Sequence, residues 1–298
     1  MSLTAAGSIA LPPHAPGGGF DHGDVDHETG RVFVAHTAAG TVEVIDGGIH
    51  RGTIPGCAEA SGVLCAQEDR LVFAAARGAG KVLVIAAPSN DVIGEVAVGP
   101  KPNGLAWDAQ RRRLLVADVH DFRVRLVDPR RRAVVADAGL PGRPRWCVYD
   151  AARDRFLVNI REPACVAVLD AGTAVLRARW PVSSGGPHGL DLDTERGRAF
   201  VACDGGKVLA LDLESGREVA DADIAAEPDA IWYNPALSHL YVAIGQPGVV
   251  DVLDTRGMTI VQEIVTEAGA HTSAFDQRRQ RLYVFFPRSG RAAVYAET

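Results

Sequence analysis

The sequence predicts an all-β chain folded as a seven-bladed β-propeller, with four antiparallel strands in each blade. Three observations lead to this prediction. A pattern of about 42 residues recurs seven times along the chain, each copy contains short strand-like segments, and no stretch keeps a helical period over helical length. A repeat of this length with four strands per copy is typical of a propeller blade.

The repeat is measured from the residue that ends the first apolar run of each copy, five positions before a residue that is usually arginine. These strand-ending residues are Asp26, Cys65, Asp108, Asp150, Asp193, Asn234 and Asp276. A second marker, the residue that closes VEVID and its equivalents, reads Asp46, Ala86, Asp128, Asp170, Asp212 and Asp254. Two independent markers therefore agree on one period.

Each copy holds four segments rich in valine, leucine or aromatic residues. In the third copy they are GLAWD, RRLLVAD, FRVRLVD and AVVADAG. The blades are predicted to start near residues 20, 59, 102, 144, 187, 228 and 270 of a single domain spanning 1–298. The last copy is one strand short, and residues 1–12 have the composition of its outer strand. The N-terminal strand is therefore predicted to complete blade seven and close the ring.

Composition restricts the partners. The 298 residues carry a net charge of −6, which argues against a general nucleic-acid binder or a binder of anionic membranes. Five cysteines without a Cys-x-x-Cys pair predict buried, reduced thiols. With no apolar run of membrane-spanning length and no secretory leader pattern, we expect a soluble cytoplasmic protein. No pattern indicates an organic cofactor.

Residues 98–128, VGPKPNGLAWDAQRRRLLVADVHDFRVRLVD, resemble the YVTN family of β-propeller repeats. The shared features are a Val-Gly lead, a proline two residues before a glycine, a strand, a polar turn and paired strands. The resemblance covers essentially the whole chain, most strongly in copies three, five and six and least in copy two. It implies the propeller fold. Its relatives include binding proteins, lactonases of the phosphogluconolactonase type and virginiamycin B lyases, so the function must be argued from the site.

The inner rim of the predicted ring is polar and changes from blade to blade. By analogy with such propellers, the loop before the first strand and the loop between the second and third strands open on one face, here called the upper face. The position five residues before each strand-ending residue lies at its inner rim. It reads Asp21, Ala60, Asn103, Arg145, His188, Asp229 and His271. A position that faced only core would stay apolar, so this rim is predicted to be specialised for binding.

Consecutive blades bring several of these side chains into one predicted arc. The arc consists of His188, Asp229, His271, Asp21 and His22, with His36 behind it. Imidazole and carboxylate groups are suitable ligands for one divalent metal ion such as zinc, manganese, iron or nickel. Without a metal, the same arc offers a general base, His188 or His271, oriented by a carboxylate.

Four further residues are predicted to bind the substrate. Arg145 and Asn103 lie across the channel and can hold a carboxylate or phosphate, because guanidinium presents a fork of donors to a planar anion. Trp146 can stack on a ligand. Glu59 can point inward where blade two has Ala60 at its rim.

Two functions remain open from the sequence. The first is a small-molecule or metal site on the upper face, including a metal-assisted hydrolase or lyase acting on a lactone-like ring ester. The second is a non-catalytic scaffold for a protein partner, whose rim is polar only because loops face solvent and whose histidines only bond neighbouring backbone. A scaffold more often exposes a contiguous apolar patch, and none is evident in the sequence, which favours the first function.

Overall fold

Seven four-stranded antiparallel sheets make up the protein. The structure is a computed structural model, and it describes residues 2–15 and 19–297. Six of the sheets follow the order of the chain, from an inner strand beside the central channel to an outer strand at the circumference, and the seventh has the N-terminal strand as its outer strand. The predicted seven-bladed propeller is confirmed.

The strands of successive blades repeat with nearly constant length. Blade one contains β2 (Gly23–Asp26), β3 (Arg31–His36), β4 (Thr41–Asp46) and β5 (Ile49–Ile54). Blade two contains β6 (Ala60–Ala66), β7 (Leu71–Ala76), β8 (Lys81–Ala86) and β9 (Asp91–Ala97). Blade three contains β10 (Pro102–Asp108), β11 (Arg113–Asp118), β12 (Arg123–Asp128) and β13 (Ala133–Gly139). Blade four contains β14 (Pro144–Asp150), β15 (Arg155–Ile160), β16 (Cys165–Asp170) and β17 (Leu176–Pro181).

The second half of the ring continues the pattern. Blade five contains β18 (Pro187–Asp193), β19 (Arg198–Cys203), β20 (Lys207–Asp212) and β21 (Glu218–Asp223). Blade six contains β22 (Pro228–Asn234), β23 (His239–Ile244), β24 (Val249–Asp254) and β25 (Thr259–Val265). Blade seven contains β26 (Thr272–Asp276), β27 (Arg281–Phe286), β28 (Arg291–Glu297) and β1 (Leu3–Ala10). A 3-10 turn at Arg77–Ala79 follows β7.

The ring closes through strands from the two ends of the sequence. β1 runs antiparallel to β28, with Leu3 opposite Glu297 and Ala10 opposite Arg291. The inner strand β2 packs against β6 on one side and against β26 on the other. The N-terminal strand therefore completes blade seven, as predicted, and covers the edge that β28 would otherwise expose.

The core lies between the blades, because each sheet is covered on both faces. The second strands are buried almost throughout, and Phe33, Phe73 and Phe200 at equivalent positions are at most 1% exposed. This two-sided burial explains why these strands read as continuous apolar runs rather than as an alternation. The outer strands are mostly exposed, and β5 alternates between exposed and partly buried residues.

The register of blade two corrects the sequence alignment. In the other blades, the strand-ending residue pairs with the residue five positions later. In β6, the residue that pairs in this way is Ala66, which lies opposite Leu71. The strand-ending residue is therefore Ala66 rather than Cys65, and the rim position is Ser61 rather than Ala60. Blade two lacks the aspartate that marks this position in most copies, which hid the shift of one residue. The corrected rim is polar in every blade.

The structure can also be compared with what the sequence indicated about the cysteines and about membrane-spanning segments. All five cysteines are buried and none is paired with another. Among the residues that the structure describes, no helix has the length and apolar composition that crossing a bilayer requires.

Candidate functional site

Polar side chains from six of the seven rim positions surround a cavity of about 270 Å³ at the upper mouth of the channel. Its walls consist of Asp21, His22, Arg77, Asn103, Arg145, Trp146, His188, Asp229 and His271. The arc residues other than His36, and the substrate-binding candidates other than Glu59, thus share one cavity. Their convergence follows from the repeat, since six of them occupy the rim position of their blades and His22 and Trp146 directly follow it.

His188 lies between two carboxylates. Its Nδ1 is 3.0 Å from Oδ1 of Asp204, and its Nε2 is 3.1 Å from Oδ1 of Asp229. Burial disfavours the charged imidazolium, but the charge of Asp229 and the hydrogen bonds of both carboxylates outweigh it and raise the pKa of His188 to about 9. His188 is therefore a cation at neutral pH, with both ring nitrogens occupied.

Asp229 lies between two histidines of the arc, His188 and His271. Its second oxygen, Oδ2, lies 3.7 Å from Nε2 of His271. Burial alone would raise the pKa of Asp229, but the charge and hydrogen bond of His188 hold it well below its usual range. Nδ1 of His271 lies 2.8 Å from the carbonyl oxygen of Gly269. Because a carbonyl only accepts, Nδ1 is the donor in this bond, and in the neutral ring Nε2, on the side of Asp229, is the acceptor.

A second polar group lies on the opposite side of the mouth. Nδ1 of His22 approaches Oδ1 of Asp21 to 2.7 Å, and the guanidinium of Arg77 lies 3.4 Å from Oδ2 of the same carboxylate. Burial raises the pKa of Asp21, but the His22 and Arg77 contacts outweigh it, so the pKa is lowered. Arg77 also donates to Oδ1 of Asn103 at 3.0 Å. The ring of His22 stacks on Trp146, with centroids 4.3 Å apart.

Arg145 differs from the other charged residues of the cavity. It is half-buried, and its Nε is buried without a hydrogen-bond partner. Within residues 2–15 and 19–297, no carboxylate forms an ion pair with its guanidinium. Burial lowers the pKa of Arg145, and the charge of Asp229 opposes this shift. The mouth therefore contains a desolvated cation that faces the cavity without a paired anion.

Three charged residues of the site were missed by the rim pattern. Arg77 lines the mouth, and Arg161 forms an ion pair of 2.9 Å with Asp204, the partner of His188. All three directly follow the second strand of their blade. That position reads Thr37, Arg77, Val119, Arg161, Asp204, Gly245 and Pro287 around the ring. The second-to-third-strand loops were expected on the upper face, so listing this position beside the rim would have found them.

Two predicted residues lie apart from the mouth. His36, a proposed metal ligand, has Nδ1 3.1 Å from the buried Glu43 and Nε2 2.8 Å from Nδ1 of His14. Burial raises the pKa of Glu43, but hydrogen bonds from His36, two threonines and His50 lower it to about 2. Glu59, a proposed substrate-binding residue, is exposed and pairs with Lys101 at 2.5 Å.

The positions of the arc side chains are relevant to whether they could hold the metal ion expected from the sequence. Among the described parts of the chain, no group of three or more histidine, cysteine, aspartate or glutamate side chains is disposed to hold a metal. The reason is local, since both nitrogens of His188 are used by carboxylates and Nδ1 of His271 is used by a backbone carbonyl. The metal ion at the arc therefore stays a prediction.

Comparison with known proteins supports the fold alone. No protein-family model matches the chain, and no curated protein matches it, so the resemblance to the YVTN repeat family stays a prediction. A structure described as Kuenenia stuttgartiensis hydrazine synthase superposes with a TM-score of 0.85 at 13% identity, covering 96% of this chain and 97% of the other. A chain from a crystal structure of the mitotic checkpoint complex superposes with a TM-score of 0.84 at 12% identity, covering 99% and 92%. Similar propellers thus include members of protein complexes.

Proposed function

We propose that the protein binds a small organic anion, a carboxylate or phosphate, at the upper mouth, with Arg145 as the anchor. The observation that carries this proposal is the half-buried guanidinium of Arg145, which has no carboxylate partner and whose Nε is buried without a hydrogen bond. Burying a cation without a counter-charge is costly, so a bound anion would recover interaction energy that the free protein lacks. Guanidinium also matches carboxylate and phosphate geometry.

The other charges of the cavity favour an anion over a cation as the ligand. Asp229 is contacted by His188, and Asp204 by both His188 and Arg161. Asp21 is contacted by His22 and Arg77. Each carboxylate therefore already has cationic or imidazole partners, which leaves Arg145 as the group in need of one. Asn103 accepts from Arg77 through Oδ1, so its amide N–H groups are available to donate to the same ligand.

Substitution of the anchor tests the proposal. Thermal unfolding of wild-type protein, Arg145→Gln and Arg131→Gln is compared in the presence of mono- and dicarboxylates and phosphate monoesters. Arg131 is the matched control, because it is 76% exposed and contacts only Asp128, at 3.5 Å. A ligand at a hundred times its Kd stabilises by about 2.7 kcal/mol, or roughly 5 °C in Tm, in wild type and control. The proposal fails if no anion raises Tm, or if the rise persists in Arg145→Gln.

Catalysis on a lactone-like ring ester is a second candidate, and His271 is the residue that favours it. His188 is held as a cation by two carboxylates and is poorly suited to accept a proton, whereas His271 lines the cavity and its neutral ring can accept a proton at Nε2. If the protein opens such esters, His271→Asn reduces kcat by about 100-fold or more. Equal hydrolysis by both proteins, or none by the wild type, would rule out this role.

Binding of a metal ion at the arc is tested separately. Elemental analysis of protein purified without affinity histidines or chelators, beside His188→Ala and His271→Ala, tests it directly. Near-stoichiometric divalent metal that falls in both variants would establish a metal site at the arc. The engagement of His188 leads us to expect anion binding that persists after chelation.

A further inference from the structure

A second cavity, here called the channel cavity, lies inside the ring next to the mouth. Its volume is about 390 Å³, and the inner strands of blades one to six form its walls. The lining is mainly apolar and includes Leu64, Val148 and three of the four tryptophans, Trp107, Trp146 and Trp232. All three tryptophans lie within inner strands and are only half-buried. They present aromatic surface to the channel.

The channel cavity adjoins the polar mouth. His22 and Trp146 form part of the wall of both cavities, and their stacked rings mark the boundary. Arg145 directly precedes Trp146 in β14 and lines the mouth. A single ligand can therefore touch the guanidinium with one end and the indole rings with the other.

Three carboxyl groups lie in the channel wall, the exposed Glu68 and the more buried Asp24 and Asp191. Asp24 and Asp191 each accept two backbone N–H bonds, at 2.7 and 2.8 Å, one from the next residue and one from the next blade. Burial raises the pKa of Asp24 to about 7 and that of Asp191 to about 6, against the effect of these hydrogen bonds. Both groups act as links between blades.

We propose that the ligand is an amphipathic carboxylate, with its anionic head on Arg145 and an aromatic or alkyl tail that passes Trp146 into the channel cavity. This inference rests on the proposed function and adds the chemistry of the tail. Combined, the two cavities have the size of pockets that take drug-sized molecules, mostly apolar with a few polar groups that fix orientation. Indole rings favour apolar and aromatic groups in such sites.

Three related compounds separate the head from the tail. Phenylbutyrate has both, butyrate lacks the ring, and phenylbutanol lacks the charge. We expect calorimetry to show phenylbutyrate binding at least tenfold more tightly than butyrate, because burying a phenyl ring contributes at least that factor. Phenylbutanol should bind at least tenfold more weakly than the acid, and Arg145→Gln should abolish the difference between acid and alcohol.

A larger side chain in the channel wall tests whether the tail of the ligand lies in the channel cavity. Val148→Phe adds bulk to the channel wall, and Val175→Phe is the matched control, since Val175 is 56% exposed at the circumference. We expect Val148→Phe to reduce phenylbutyrate affinity to the butyrate level and to leave butyrate unchanged. Val175→Phe should alter neither. The comparison of the three compounds on wild-type protein needs no variant, so it decides even if Val148→Phe does not fold.

The outcomes separate the two proposals. Equal affinities for butyrate and phenylbutyrate, both lost in Arg145→Gln, overturn the amphipathic ligand and leave the anion site intact. No binding of phenylbutyrate to wild-type protein also overturns the inference. Binding that depends on the tail but is unaffected by Arg145→Gln overturns both proposals.

Discussion

His188 is the residue of the mouth that contacts two carboxylates. Its imidazole contacts Asp204 and Asp229, and Asn159 of the preceding blade fixes its backbone by donating to its carbonyl oxygen at 3.0 Å. A histidine held in this way acts as a fixed positive charge at neutral pH. It compensates the two carboxylates and leaves the field of Arg145 available to a ligand.

The raised pKa of His188 predicts a pH-dependent stability. The folded pKa of about 9 exceeds the reference value of 6.5, so the stabilisation is complete below pH 6.5 and is lost as pH rises through 9. The shift corresponds to at most about 3 kcal/mol. Urea unfolding of wild type and His188→Gln should differ by up to this amount near pH 6 and converge near pH 10. The exposed His120→Gln is the control, and a constant difference across this range would contradict the assignment.

At the scale of elements, neighbouring inner strands approach each other closely at glycines beside the rim. A Cβ at Gly104 would lie 2.3 Å from the carbonyl oxygen of Arg145, and one at Gly189 would lie 2.3 Å from that of Asp229. Only glycine allows these backbones to meet at that distance. The rim side chains of consecutive blades are thereby brought side by side.

Alanine at such a contact should disturb the site. Gly104→Ala forces the strand that carries Arg145 to move, so we expect a loss of about 1–3 kcal/mol in the free energy of unfolding and weaker anion binding. Gly7→Ala is the matched control, because a Cβ there meets nothing within 4 Å. Chemical denaturation and the anion titration measure both effects. A Gly104→Ala protein that behaves like Gly7→Ala would show that the close approach does not position Arg145.

At the scale of the whole molecule, ring closure depends on β1. Its Leu3 and Ile9 are buried, at 3% and 4% exposure, in clusters shared with blades six and seven and with blades seven and one, respectively. Removing residues 1–10 should lower Tm and increase self-association, because β28 would become an open edge. Size-exclusion chromatography and thermal unfolding measure this, with the exposed Ser8→Ala as control. Unchanged Tm and a monodisperse peak would contradict a closing role for β1.

The ring of blades could be predicted because the sequence pattern repeats once in every blade. Seven copies fix the number of blades, and the missing strand at one end matches the extra strand at the other. Blade two was misaligned by one residue because Ala66 replaces the usual marker aspartate. The pairing of strands, which sequence alone does not display, restores Ser61 to the rim.

The location of the site could be predicted from the sequence, but not which of its side chains contact each other. Equivalent repeat positions indicated that His188, Asp229 and Arg145 share the mouth. The partners Asp204 and Arg161 come from a different loop, and their contacts depend on the relative placement of neighbouring blades. His36 was expected behind the arc, but it lies beside Glu43, because Glu43 pairs with Val34 and so shares a face of the sheet with His36. Which carboxylate pairs with which cation decides the chemistry, and that requires three-dimensional distances.

The most direct measurement is a crystal structure of the protein with bromophenylbutyrate, using the anomalous signal of bromine to locate the tail. We predict the carboxylate within hydrogen-bond distance of the Arg145 guanidinium and the bromine in the channel cavity among Trp107, Trp146 and Trp232. A mouth without the ligand, or a carboxylate bound away from Arg145, would contradict the assignment of Arg145 as the anchor.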